Sequence, residues 1–192
     1  SALEQFEHKD KVEIEWHSYQ LDPEAKPMPG MSVYDYLAQR KGASREWSVN
    51  AHNQLTQTAK AEGLTYNFEN AVITNTYDAH RLIQLAKTHG LGDAAEEALF
   101  KAYFTDGRNL GDHNTLMQLG IDIGLRAVEV GEMLNSDAQA DAVNKDIATA
   151  QEYNITGVPF FILDNKYAIS GAQPAEVFLN GLNQAFAAMK DQ

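Results

Sequence analysis

The sequence predicts an α/β fold whose small strand-bearing core is interrupted by a large all-helical insertion. Three observations predict it. Val12, Ile14 and Trp16 alternate with Glu13, Glu15 and His17, the period-2 signature of a strand. From about Met31 to Tyr153 the apolar residues recur at helical spacing, broken only by glycines and capping residues. The last forty or so residues then return to short apolar runs and close on a final amphipathic helix.

Taken in order, the first residues, "SALEQFEHKD", set Leu3 and Phe6 on one face of a short helix. The strand "KVEIEWHSYQL" follows and runs into "DPEAKPMPG", where three prolines and a glycine make a loop. Tyr34, Leu37 and Ala38 share a face in a helix that stops at Gly42. Ser44 caps the next helix, in which Trp47, Ala51, Leu55 and Thr58 form the expected apolar face before Gly63 ends it. Asn75 with Asp78 reads as a capped start for a helix carrying Ala79, Leu82, Ile83 and Ala86, closed by Gly90. Asp93 with Glu96 has the spacing of a capping box, as does Ser136 with Gln139. Between them Asp112 caps a helix through Leu116, Leu119 and Ile123. At the C-terminal end "PFFIL" and "YAIS" flank the tight turn "DNK", which predicts a β-hairpin. Pro174 opens the last helix, whose apolar face is Phe178, Leu182, Ala185 and Met189. The expected division is therefore residues 1–30 and 154–192 in one discontinuous domain, with 31–153 inserted between them.

Composition narrows the function classes. The 192 residues hold 15 Lys and Arg against 27 Asp and Glu, a formal charge of −12. Such a surface repels nucleic acid and anionic membranes, because binding either depends on clustered cations. The apolar run "VPFFIL" is far shorter than the roughly 20 residues that span a bilayer. The first residues lack the apolar stretch of a signal peptide, so the cytoplasm is the expected compartment. Cysteine is absent, which excludes disulfides, thiolate metal sites and cysteine nucleophiles among these residues. The six histidines are scattered and match no metal-ligand spacing. No G-x-S-x-G, P-loop or dinucleotide fingerprint occurs, and no cofactor is expected.

The stretch "ITGVPFFILDNKYAISGAQPAEVF" is the informative one. Proline cannot donate to a ladder, yet Pro159 stands at the mouth of the most apolar run in the chain. On its own, Val158-Pro159 reads as an ordinary trans proline at a strand's first residue, since only about 5–6% of X–Pro bonds in folded proteins are cis. Together with "WHSYQLDPEA", "NTYDAHRLIQLAKTHG" and "ALFKAYFTDGRNLGD" in this order, however, the stretch resembles the DsbA-like family of the thioredoxin superfamily. Within that family the resemblance is closest to the branch typified by the FrnE proteins, and it spans essentially the whole chain.

The resemblance implies a thioredoxin-like, DsbA-type core with a helical insertion, a cis bond before Pro159, and a polypeptide groove formed by Gly157, Val158 and Pro159. It implies thiol–disulfide oxidoreductase or isomerase activity on polypeptide substrates. The family's C-x-x-C pair sits at the N-terminus of its first helix, after a strand central to the sheet. Neither has a counterpart in these residues, so no catalytic residue is expected among them. The expectation is that the strand and the cysteines lie upstream of Ser1 and that residues 1–192 by themselves are redox-inactive. Two alternatives stand beside it: a redox-dead module that binds peptides or a partner, and a glutathione-dependent isomerase similar to kappa-class transferases. A homodimer is compatible with all three.

Overall fold

In a computed structural model, residues 1–190 are described. The elements run α1 (Ala2–Gln5), α2 (Val33–Lys41), α3 (Arg45–Ala61), α4 (Tyr77–Thr88), α5 (Gly92–Phe100), α6 (His113–Asp122), α7 (Ala127–Leu134), α8 (Ala140–Glu152), β1 (Phe160–Leu163), β2 (Tyr167–Ser170) and α9 (Ala175–Lys190). Short 3-10 turns lie at Lys9–Lys11 and Phe68–Asn70, and a widened π turn at Lys101–Thr105 extends α5. The chain divides into two compact units. One holds Ser1–Leu21 and the chain from Ile147 onward; the other is Asp22–Asp146, and the division falls within α8.

In the first unit β1 and β2 form an antiparallel hairpin, the one sheet among the described residues. Phe160 pairs with Ser170 and Leu163 with Tyr167. Asp164 and Asn165 both take positive φ, 50° and 52°, the left-handed geometry whose twist suits a tight hairpin. Helix α9 packs on the hairpin, and its Gly181 lets the two approach: a methyl there would lie 2.9 Å from a Leu163 methyl. At the other end Phe6 is buried and meets Phe186 edge-on at 6.0 Å, while His8 stacks on Phe186 at 3.9 Å.

The strand expected around Val12–Gln20 is not formed. Val12 is extended, but no residue from there to Gln20 enters a ladder. Nor does burial alternate: Ile14 and Trp16 are exposed, as Glu13, Glu15 and His17 are, and Ser18 is buried. A strand is a paired object: an amphipathic period supplies the face, and a neighbouring strand must supply the hydrogen bonds.

The helical unit is built on Leu82, Leu116, Val130, Met133 and Val143, each at most 1% exposed. Gly120 of α6 makes room for α7, since a Cβ there would meet a Val130 methyl at 2.8 Å. Three caps are as expected. Ser44 accepts from the Trp47 N–H, Asp112 accepts from the Thr115 N–H, and Gly42 closes α2 in the left-handed conformation. The two capping boxes are not. Helix α5 starts at Gly92, before Asp93, and α8 starts at Ala140 after Gln139 has taken a positive φ of 66°. Asn75 accepts from the Tyr77 N–H two residues on, which bends the chain into α4 without capping it.

Helix α3 is turned relative to its expected face. It buries Ser48, His52 and Ala59, leaving Trp47 46% and Leu55 49% exposed. His52 is what the neighbours hold. Its ring meets Tyr34 at 5.0 Å and Phe68 at 4.6 Å, both edge-on, and its Nδ1 lies 2.7 Å from the Ser48 carbonyl.

Two buried ionisable groups make stability depend on pH in opposite senses. Burial pulls the His80 imidazole down to about 4, against the opposing charge of Asp146, and leaves its Nδ1 without a hydrogen-bond partner. Burial pushes the Glu96 carboxyl up to about 7, opposed by Lys87 and reinforced by Asp93. A depressed histidine loses stability as pH falls from its unfolded value toward 4, because the unfolded chain takes the proton first. A raised carboxyl loses stability as pH rises from its unfolded value through 7. Glu96→Gln removes only the second effect. The melting temperature of this variant is expected to draw ahead of the parent's as pH is raised from 4.5 to 8, by a few degrees, in a thermal melt series.

Candidate functional site

The site grows from the end of α8. The Ile155 N–H donates to the Ala150 carbonyl at 2.9 Å, and Asn154 takes a positive φ of 53°, which turns the chain off the helix. The Tyr19 hydroxyl donates to the Ile155 carbonyl at 3.5 Å and so ties the N-terminal extended segment to this turn. Thr156, Gly157 and Val158 then form a loop, the Val158–Pro159 peptide is cis, and β1 begins at Phe160. The Gly171 N–H donates to the Pro159 carbonyl at 2.8 Å, so the hairpin ladder starts at the proline itself.

That bond fixes the phase of the sheet. In an antiparallel pair, residues alternate between those bonded across the pair and those pointing outward. With Pro159 opposite Gly171 bonded, Phe161 and Leu163 point their backbone groups toward β2, and Phe160 and Ile162 point theirs to the outer edge of β1. On β2 the outward residues are Ala168 and Ser170, and the Ser170 carbonyl already accepts from the Gln173 side-chain amide at 2.9 Å. The β2 edge is thus partly closed by its own chain, whereas no described residue pairs with the β1 edge.

Beside the loop lies an open cleft of about 410 Å³, lined by Asn154, Thr156, Gly157, Val158, Pro159 and the end of β2. The Val158 side chain is 45% exposed at its lip. Space around Gly157 is free, for a Cβ there would touch nothing within 4 Å. No residue lining the cleft has an ionisable side chain, so the lining offers no group for proton transfer. Among the described residues no group of three or more His, Asp or Glu stands within reach of a common metal ion.

The structure places Gly157, Val158 and Pro159, the three residues singled out in the sequence, on one wall of this cleft. It adds Asn154 and Ser170 to the lining and Gln173 as an edge cap. Gln173 lies within the "ISGAQ" stretch, but its spacing from Ser170 acquires meaning only once the hairpin phase is known.

A cis-proline loop entering an antiparallel hairpin backed by a helix defines the C-terminal half of a thioredoxin-like fold. Residues 1–183 match the model of the DsbA-like thioredoxin domain, and the chain belongs to that family. It is similar to a solved structure described as a probable DsbA oxidoreductase, SCO1869 from Streptomyces coelicolor. The TM-score is 0.90 and the identity 38%, over 97% of this chain and 80% of that one. It is also 28% identical over 181 residues to the uncharacterized protein YwbO of Bacillus subtilis (strain 168), covering 93% of this chain and 84% of that protein. The fold is accordingly DsbA-like: mostly helical, with a small antiparallel sheet and a helical insertion.

Proposed function

We propose that this chain supplies the polypeptide-binding part of a thiol–disulfide oxidoreductase of the FrnE type. Gly157, Val158 and Pro159 hold an extended substrate by backbone pairing, and the exchanging cysteines are carried on a strand and helix N-terminus outside these 192 residues. The open β1 edge carries this reading. Phe160 and Ile162 present donors and acceptors in the phase an added strand requires, beside a loop whose own backbone is left for substrate. In the exchange, a thiolate attacks one sulfur of the substrate disulfide. The substrate S–S bond breaks as the mixed disulfide forms, and the other sulfur leaves as thiolate.

The expected result is that protein from its native cell reduces insulin in the presence of dithiothreitol well above the uncatalysed rate, and that its intact mass exceeds the 21.3 kDa of residues 1–192. A native product of these residues alone, silent in the assay, would overturn the oxidoreductase reading.

The lack of any cysteine favours a second reading, a redox-inactive module that keeps the groove and binds peptides. Both readings need the cleft to take an extended peptide. Val158→Glu sets a carboxylate on its lip and is expected to weaken peptide binding about tenfold, measured by calorimetric titration. The melting temperature should not move, since the side chain is already half exposed.

A further inference from the structure

We infer, on the reading of this cleft as a polypeptide groove, that its substrates are of one charge class: cationic segments, with lysine or arginine beside the stretch that lies along Gly157, Val158 and Pro159. The lining carries no charge of its own, so the charges just outside it decide which chains it draws in. One wall begins at the C-terminal end of α8. A helix presents partial negative charge there, which cations in the last turn commonly offset. Helix α8 has no basic residue in its last turn and ends instead on the exposed Glu152, two residues before Asn154 of the lining. The opposite wall, Ser170 and Gly171, leads into α9, where Glu176 stands exposed in the first turn. Neither carboxylate is ion-paired with another described residue.

The lysines of the same compact unit stand elsewhere. Lys166 is at the hairpin turn, the end away from Pro159, and is held 3.0 Å from Asp164. Lys190 closes α9, roughly 20 Å along the helix from Glu176. Lys9 and Lys11 follow Phe6 and His8, whose rings pack on Phe186 in the second half of α9, and Lys11 is 3.6 Å from Asp10. The cleft is thus flanked by carboxylates and a helix C-terminus, in a chain whose formal charge of −12 adds attraction for cations at longer range. The same field disfavours glutathione, a tripeptide of net negative charge. Glu152 and Glu176 lie outside the wall that pairs with a substrate backbone. They bias the charge of the occupant without obstructing it, whereas a carboxylate at Val158 stands in the peptide's path.

Calorimetric titration of the full-length protein checks this with capped, cysteine-free peptides that share one apolar centre and carry lysines, no charge or glutamates at their ends. At low salt the lysine peptide is expected to bind about tenfold more tightly than the uncharged one, and the glutamate peptide more weakly than either. The gap should shrink as sodium chloride is raised, since the charges involved are exposed. In the double variant Glu152→Lys, Glu176→Lys the lysine peptide is expected to lose its advantage. Both positions are exposed, so the variant should melt within a few degrees of the parent. Equal affinity for the lysine and uncharged peptides, or a preference that survives in the double variant, overturns the cationic class and leaves the groove standing. Tighter binding of reduced glutathione than of the lysine peptide overturns it as well. If none of the peptides binds, the polypeptide groove itself is overturned, and the charge class with it.

Discussion

Replacing Arg81 by alanine is expected to lower the unfolding free energy by about 3–5 kcal/mol. The guanidinium is 5% exposed and sits among carbonyls of the turn after α7. Its Nε donates to the Ala138 carbonyl at 2.9 Å, and its Nη2 donates to the carbonyls of Met133 and Ser136. Its Nη1 donates to Asp78 at 2.8 Å, a carboxylate that His113 also reaches at 3.1 Å. One planar fork therefore satisfies three backbone acceptors and one charge. Alanine removes all four donors and strands acceptors that water reaches poorly. Lysine is not expected to rescue, because a single ammonium cannot span acceptors on both sides of the turn. Urea denaturation of the alanine and lysine variants beside the parent checks this. A loss under 1 kcal/mol for alanine would mean that the turn is held by other contacts.

Leu116→Ala is expected to cost a similar amount, about 3–4 kcal/mol. Leu116 is fully buried in α6, within the cluster formed by Leu82, Leu119, Val130 and Met133. Helix α6 already meets α7 through Gly120, where the backbone and Val130 are in close contact, so the helices have little freedom to collapse into the space a leucine vacates. That pushes the cost above the transfer term alone. Leu55→Ala is the matched control. The same deletion at a half-exposed position of α3 is expected to shift stability by no more than about 0.5 kcal/mol, which separates burial from helix propensity.

Much of this protein was determined by sequence alone, wherever the cause is local. Ser44 and Asp112 cap helices through an N–H three residues away, and Gly42 ends one by its own backbone freedom. The hairpin follows from two apolar runs around Asp164 and Asn165, which tolerate the positive φ of its turn. The wall of Gly157, Val158 and Pro159 was legible because three consecutive residues cannot be separated. Features that depend on a distant neighbour were decided only by the tertiary structure. The capping boxes at Asp93 and Ser136 have the right letters, yet packing starts those helices elsewhere. Helix α3 turned its polar His52 inward because Tyr34 and Phe68 made an aromatic slot for it, and its most apolar stripe was left outside. Arg81 found its carbonyls more than fifty residues along the chain. The segment after Val12 has a strand's pattern and no ladder, for the same reason: alternation is written in one segment, and hydrogen-bonded pairing takes two.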